Sequence, residues 1–197
     1  YSPGLVGIIA TESSVSNING KKGILSYRGY SIEELAQKST FEETSYLLLF
    51  GELPTTDQLK KFTSKVTQYR DLPEELVSIL KALPKHTRPM DVLQMAVSSL
   101  GTFYDLEVSP EKVKGKKYDE KYFLNISAAL IGALGSIVAA WHRIRNGDEP
   151  ISSKPDCTYA ENFLHILGAE KITPLMTRIM DATLVLHGEH TINASTF

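Results

Sequence analysis

Most of the chain carries apolar residues at intervals of three and four, the spacing that places them on one face of an α-helix. Val92, Ala96 and Leu100 are a clear example, because all three would share one side of a helix starting at Pro89 or Asp91. Helix start and stop signals divide this pattern into separate segments, and the predicted fold class is mainly α. Further helices are predicted to open at Ser31 and to span residues 44–50, 55–70, 73–84, 124–145, 158–167 and 172–187.

Capping motifs support two of the helix starts. Ser31 is followed three residues later by Glu34, and Thr40 by Glu43. Both pairs fit the capping box, in which the two side chains each accept a backbone N–H at the start of a helix. The charged segments 111–117 and 148–156 have no such pattern and are predicted loops.

The first 30 residues follow a different pattern from the rest. Residues 8–9, 15–18 and 24–27 are short β-prone pieces, and the turn signals Asn19-Gly20 and Gly23 lie between the last two. We predict a small β and turn element over residues 1–30. Residues 31–197 would then form part of a helical domain.

The segment 124–141 is apolar enough to raise the question of a membrane span. Its length is at the lower limit for a helix that crosses a bilayer. It is rich in Ala, Gly and Ser, small residues that let a second helix approach closely. We therefore interpret it as a buried packing helix, and we expect no membrane association.

Composition narrows the class of protein. The chain is 42% hydrophobic and 22% charged with a net charge of −2, which is typical of a globular protein and gives no indication of nucleic-acid binding. Cys157 is the only cysteine, so an intrachain disulfide is impossible and a reducing compartment is favoured. The first residues lack the charged start and long apolar run of a signal peptide.

Two histidines follow the last predicted helix. His187 and His190 lie three residues apart, and Gly188 between them predicts a bend in the backbone. One interpretation is that they interact with the carbonyl groups at the end of the helix. Another is that they donate hydrogen bonds to a bound anion or carbonyl group, together with the nearby Asn193.

A metal site is a third interpretation of the same residues. His187, Glu189 and His190 offer three metal ligands. The coordination sphere would have to be completed by the lone Cys157 and the distant His142 or His165. The spacing differs from H-E-x-x-H, the usual zinc motif on a helix. The chain also lacks a GxxxxGK[ST] or GxGxxG phosphate loop and a G-x-S-x-G nucleophile motif.

Four segments of the chain resemble citrate synthases of the short bacterial and archaeal type. They are GLVGIIATESSVSNINGKKGILSYRGYSIEELAQKSTFEETSYLLLFGELPT, TRPMDVLQMAVSSL, YAENFLHILG and LVLHGEHTINASTF. Two departures are visible: Arg88 stands where many members have histidine, and Gly188-Glu189 stands where Ala-Asp or Ser-Asp is usual. Methylcitrate synthases share these motifs.

The resemblance implies an acyltransferase that condenses acetyl-CoA with oxaloacetate to give citrate and CoA. It implies that His190 contacts oxaloacetate, with His187 and Asn193 as companions in the substrate pocket. It implies no metal or redox cofactor, a cytoplasmic location, and at least a homodimer whose interface would involve residues 89–103 and 124–141. Acyl-CoA and oxaloacetate are the expected partners, with no nucleic acid and no membrane.

The family's catalytic motifs, G-P-x-H-G and G-[FY]-G-H, do not occur in this sequence. The resemblance therefore places the catalytic residues and the small CoA-binding domain downstream of Phe197. We expect this chain to be the N-terminal part of the large domain and to be inactive alone. The alternatives are a methylcitrate synthase that uses propionyl-CoA, and a non-catalytic helical scaffold, which a coding sequence ending at Phe197 would favour.

Overall fold

The computed structural model of the chain describes residues 12–104 and 120–191. These residues belong to two compact units. The first takes in the chain up to Pro54 and again from Asp181 onward, and the second is Thr55–Met180. The two units are defined by how compactly their residues pack. The predicted boundary at residue 30 instead marks the change from strand to helix. The domain assignment 1–30 and 31–197 stays a prediction.

A small antiparallel sheet opens the first unit. Its strands, in sheet order, are β1 (Ser16–Asn19), β2 (Ile24–Tyr27) and β3 (Tyr30–Ser31). The predicted pieces at 15–18 and 24–27 are confirmed as β1 and β2, and residues 8–9 lie outside the described residues. Strand β3 was not predicted, because two residues are too few to show a strand alternation.

A tight turn joins β2 to β3. Arg28 and Gly29 both have positive φ, 48° and 90°, the combination found in two-residue type I′ hairpin turns. Arg28 is not glycine, so this conformation carries a steric cost. Its guanidinium donates to the Leu48 carbonyl at 3.0 Å and to the Ser14 hydroxyl at 2.9 Å, which holds the turn in place.

Two short helices follow the sheet, α1 (Ile32–Lys38) and α2 (Phe41–Phe50). The Thr40 capping box forms completely and starts α2 three residues before the predicted 44. At α1 the Ser31 hydroxyl accepts the Glu34 N–H, but the Glu34 carboxylate is ion-paired with Lys38 at 3.0 Å. Only one of the two hydrogen bonds of the capping box predicted there is therefore formed.

The remaining helices begin in the second unit. The third predicted helix ends at 67 and not near 70, because residues 68–70 continue as a tighter turn with bonds from Tyr69 to Val66 and from Arg70 to Thr67. The loop predicted at 111–117 lies outside the described residues, and that at 148–156 contains no helix. The helices are α3 (Thr56–Thr67), α4 (Glu74–Ala82), α5 (Pro89–Phe103), α6 (Glu120–Asn146), α7 (Tyr159–Leu167) and α8 (Pro174–Leu186).

Helix α6 is the centre of the second unit. It packs against α3, α4, α5 and α7. Length and composition alone would let its residues Tyr122–Asn146 cross a membrane. In the structure, however, Ala133, Ile137 and Trp141 on this helix are almost completely buried among its neighbours, which supports the predicted packing helix.

Two glycines of α6 explain its close packing. A β-carbon on Gly132 would lie 2.6 Å from the Val66 carbonyl oxygen, so α3 could not approach as closely. A β-carbon on Gly135 would lie 2.7 Å from the Tyr159 hydroxyl of α7. That hydroxyl accepts the Gly135 N–H at 3.2 Å and donates to the Ile131 carbonyl at 2.7 Å. Small residues therefore let both a helix and a side chain reach the α6 backbone.

Candidate functional site

The candidate site is the loop 187–191, which begins where α8 ends. The backbone N–H of His187 bonds to Thr183 at 3.2 Å, and that of Gly188 bonds to Val185 at 3.1 Å. The second bond spans only three residues, which tightens and closes the helix end. The predicted bend at Gly188 is confirmed, and the helix stops at Leu186, one residue before the predicted end.

His187 is exposed, and one nitrogen of its ring is already bound. Nδ1 lies 2.7 Å from the carbonyl oxygen of Thr183. A carbonyl oxygen only accepts hydrogen bonds, so Nδ1 carries the hydrogen and donates it. In the neutral ring Nε2 is then an acceptor, and it becomes a donor only when the ring is protonated. The helix-end interpretation therefore accounts for one side of the His187 ring and leaves Nε2 for a ligand.

His190 is exposed, and its ring takes part in no hydrogen bond with the other residues that the structure describes. Asn193 lies outside the described residues. The second unit contains a cavity of about 470 Å³, lined by Arg70, Lys81 and Glu149 among others, and no predicted site residue lines it. The structure thus places His187 and His190 in one exposed loop, and their role in binding stays a prediction.

The loop is tied to the sheet through the Tyr27 hydroxyl. Tyr27 is fully buried at the end of β2. Its hydroxyl lies 3.0 Å from the Glu189 carbonyl oxygen and 3.3 Å from that of Leu186, and it accepts the Glu189 N–H at 3.1 Å. Burial raises the pKa of this hydroxyl above its ordinary value, so it remains a donor.

The Glu189 side chain holds the backbone of Thr191, the residue that follows His190. Its Oε1 accepts the Thr191 N–H at 2.6 Å. Thr191 has a φ of 78°, a left-handed conformation that is costly for a β-branched residue. Glu189 Oε2 is buried and has no hydrogen-bond partner among the described residues. Such local strain persists only where neighbouring contacts enforce it, and it is concentrated at functional sites.

The last turns of α8 are anchored within the first unit. Asp181 is almost completely buried and accepts the Phe41 N–H at 2.9 Å, next to the positive end of α2. Val185 belongs to the same buried core as Tyr27 and Leu47. These contacts fix the position at which the histidine loop begins.

Gly188 fits closely into this arrangement. A β-carbon there would lie 3.1 Å from Leu48 Cδ1, 3.2 Å from the Val185 carbonyl oxygen and 3.5 Å from the Tyr27 ring. Glycine therefore stands in place of the usual Ala or Ser at a position where there is little room for a β-carbon.

The metal interpretation finds no support in the described part of the chain. No group of three or more His, Cys, Asp or Glu side chains comes together there in a way that could hold a metal ion. His187 and His190 share a loop, but Glu189 turns its carboxylate to Thr191.

Sequence reasoning missed Tyr27 and Asp181 as residues that hold the candidate site. Tyr27 reads as an ordinary strand residue, and Glu189 is 162 positions away. Periodicity and spacing carry only local information, so nothing in the pattern indicated this contact. A fully buried tyrosine hydroxyl indicates a hydrogen-bond partner nearby, but the burial of Tyr27 became known only from the structure.

Comparison with known proteins gives a consistent result. A family model described as "Citrate synthase, C-terminal domain" matches residues 4–197. A citrate synthase of Acidithiobacillus ferridurans is 42% identical over 197 residues, which are 100% of this chain and 50% of the relative. A 2-methylcitrate synthase of Shewanella oneidensis is 36% identical over 195 residues, 98% of this chain and 49% of the relative.

A crystal structure of citrate synthase from Pyrobaculum aerophilum has the same fold. It superposes with a TM-score of 0.89 at 36% identity, covering 98% of this chain and 48% of that one. The chain spans about half the length of the curated relatives it matches. The placement of this half at the N-terminal side stays a prediction. The match of the family model over nearly all residues, together with the shared fold, shows that the chain belongs to the citrate synthase family.

Proposed function

We propose that the protein containing this chain condenses acetyl-CoA with oxaloacetate and water to give citrate and CoA. The observation that carries the proposal is the 42% identity to a citrate synthase along the whole chain. The exposed histidine loop at the end of α8 supports it, because oxaloacetate carries two carboxylates and a keto oxygen that accept hydrogen bonds. The chain would supply part of the oxaloacetate pocket.

In this proposal His190, His187 and Asn193 bind oxaloacetate. A histidine that donates to the keto oxygen polarises the carbonyl and stabilises the negative charge that develops there as the new carbon–carbon bond forms. His187 would meet a substrate oxygen as a protonated ring, since its Nδ1 is already bound to Thr183. The loop therefore contributes binding and polarisation.

The proton abstraction belongs to residues outside this chain. A carboxylate takes a proton from the methyl group of acetyl-CoA, the enol carbon attacks the keto carbon, and water then hydrolyses the thioester. None of these steps changes an oxidation state, so we propose no redox cofactor. We assign the polarisation of the keto oxygen to histidine and therefore propose no metal. Alone, the 197 residues would be inactive.

We further propose that the protein is a cytoplasmic homodimer whose interface involves α5 and α6. Support comes from apolar side chains that remain exposed on both helices: Met90 is 70% exposed and Val138 is 43% exposed. Covering these side chains with a second subunit would remove apolar surface from water, which favours association.

The direct test is an activity assay on the full-length protein. CoA release and citrate formation are measured with acetyl-CoA and oxaloacetate, with a control that omits oxaloacetate. We expect citrate at a rate that depends on both substrates. In His190→Ala, kcat/KM for oxaloacetate should fall roughly thirtyfold or more, as expected when one partner of a hydrogen-bonded charged contact is removed. Oxaloacetate-independent CoA release, or no citrate, would defeat the proposal.

A second candidate is methylcitrate synthase, which uses propionyl-CoA. It is favoured by the 36% identity to the Shewanella oneidensis protein over almost the whole chain. Comparing kcat/KM for acetyl-CoA and propionyl-CoA in the full-length protein decides between the two. We expect acetyl-CoA to be preferred, because the identity to the citrate synthase is higher.

A further inference from the structure

We propose that Tyr27 is a positioning residue for oxaloacetate binding, because its buried hydroxyl holds the backbone on which His187 and His190 are placed. This inference rests on the proposed function of the histidine loop. It concerns a residue that contacts no substrate and acts through the loop.

The geometry explains why one hydroxyl has this effect. Tyr27 meets the backbone at Leu186, directly before His187, and twice at Glu189, directly before His190. The single hydroxyl hydrogen is shared between the two carbonyl oxygens, and the hydroxyl oxygen accepts the Glu189 N–H. The hydroxyl thus holds the backbone directly before each histidine. A shift at Glu189 would move the imidazole that follows it.

The position of the hydroxyl is itself well determined. Tyr27 is paired with Ser16 of β1 and with Tyr30 of β3, and the Arg28-Gly29 turn follows it directly. Its ring is fully buried in the core with Leu47 and Val185. A phenylalanine would keep this packing and remove only the three polar contacts.

Water is an inadequate substitute for the missing hydroxyl. The Tyr27 ring is fully buried and its bonds to Glu189 are partly buried, so the Glu189 N–H and carbonyl would lose a fixed partner and regain only part of their solvation. The loop would then adopt several positions, and the strained Thr191 that follows His190 would be free to relax. Fewer molecules would present His190 in the binding position, and the apparent affinity for oxaloacetate falls by that fraction.

A purely structural role predicts a different result. If Tyr27 only stabilised the first unit, its loss would reduce the fraction of folded enzyme and lower kcat, with the KM of each substrate unchanged. A positioning role raises the KM for oxaloacetate and leaves the KM for acetyl-CoA unchanged. The two roles are therefore separated by steady-state kinetics.

The experiment compares Tyr27→Phe with two controls in the full-length protein. Tyr30→Phe removes a hydroxyl from an exposed tyrosine of the same sheet. Leu35→Val loosens the same core without removing any hydrogen bond to the loop. We expect Tyr27→Phe to raise the oxaloacetate KM about tenfold, the effect of losing one to two net hydrogen bonds, with both controls near wild type.

The outcomes distinguish the two proposals. A wild-type protein without citrate formation overturns the proposed function, and the role of Tyr27 with it. An active wild type in which Tyr27→Phe keeps its oxaloacetate KM overturns the role of Tyr27 alone. An equal rise in KM for Leu35→Val also overturns it, because loosening of the core would then suffice.

Discussion

Replacing Gly132 by alanine tests the close packing of α6 against α3. A β-carbon at this position would lie 2.6 Å from the Val66 carbonyl oxygen and 2.9 Å from Tyr69 Cβ. The carbonyl belongs to the backbone of α3 and accepts the Tyr69 N–H at 3.1 Å, so it has little freedom to move aside. The two helices would have to separate or tilt.

The magnitude follows from two opposing terms. Alanine is favoured over glycine inside a helix by about 1 kcal/mol. Inserting a methyl group into a packed contact costs about 1–3 kcal/mol. Gly132→Ala should therefore lower the free energy of unfolding by up to about 2 kcal/mol, although alanine is the better helix former.

Gly101→Ala is the matched control, because Gly101 is an exposed glycine of α5 at which a β-carbon would meet no atom of the described residues within 4 Å. Gly101→Ala should raise the free energy of unfolding by up to about 1 kcal/mol, because its β-carbon overlaps with no neighbouring atom. Urea unfolding of the full-length variants, followed by far-UV circular dichroism, measures both changes. If Gly132→Ala is stabilised as much as Gly101→Ala, the packing argument is wrong.

Two further predictions concern tyrosine hydroxyls in the second unit. Tyr159→Phe should lower the free energy of unfolding by about 1 kcal/mol, because the hydroxyl bonds to both Ile131 and Gly135 of α6; hydrogen exchange at the Gly135 amide should become faster, and an unchanged rate would contradict this. Burial raises the pKa of Tyr104 to about 12, so stability should fall from about pH 10 to 12 as only the unfolded state ionises there. Tyr104→Phe should flatten that decline in pH-dependent denaturation, and an identical decline would count against it.

Much of the fold was predictable, because helix signals are local. The Thr40 capping box, the predicted helix at 158–167 and the apolar face of α5 each depend on residues within a few positions of one another. The errors also have local causes. Glu34 pairs with Lys38 and leaves its capping bond unmade, and residues 68–70 tighten beyond the end of α3.

The candidate site was predictable only in part. The histidines stood out through their spacing, and the helix-end interpretation described the Nδ1 bond of His187 correctly. The supports for the loop were not predictable, because Tyr27 and Asp181 act across the chain on groups 162 and 140 residues away. Which buried hydroxyl or carboxylate meets which backbone group depends on packing, and a one-dimensional pattern does not contain it.

The proposed function depends above all on a contact between His190 and oxaloacetate, which calorimetric titration of the full-length protein with oxaloacetate measures. His142→Ala is the control, since His142 is an exposed histidine of α6 outside the loop. We expect His190→Ala to bind oxaloacetate at least roughly thirtyfold more weakly than wild type, and His142→Ala to bind it as wild type does. Equal affinities for wild type and His190→Ala would contradict it.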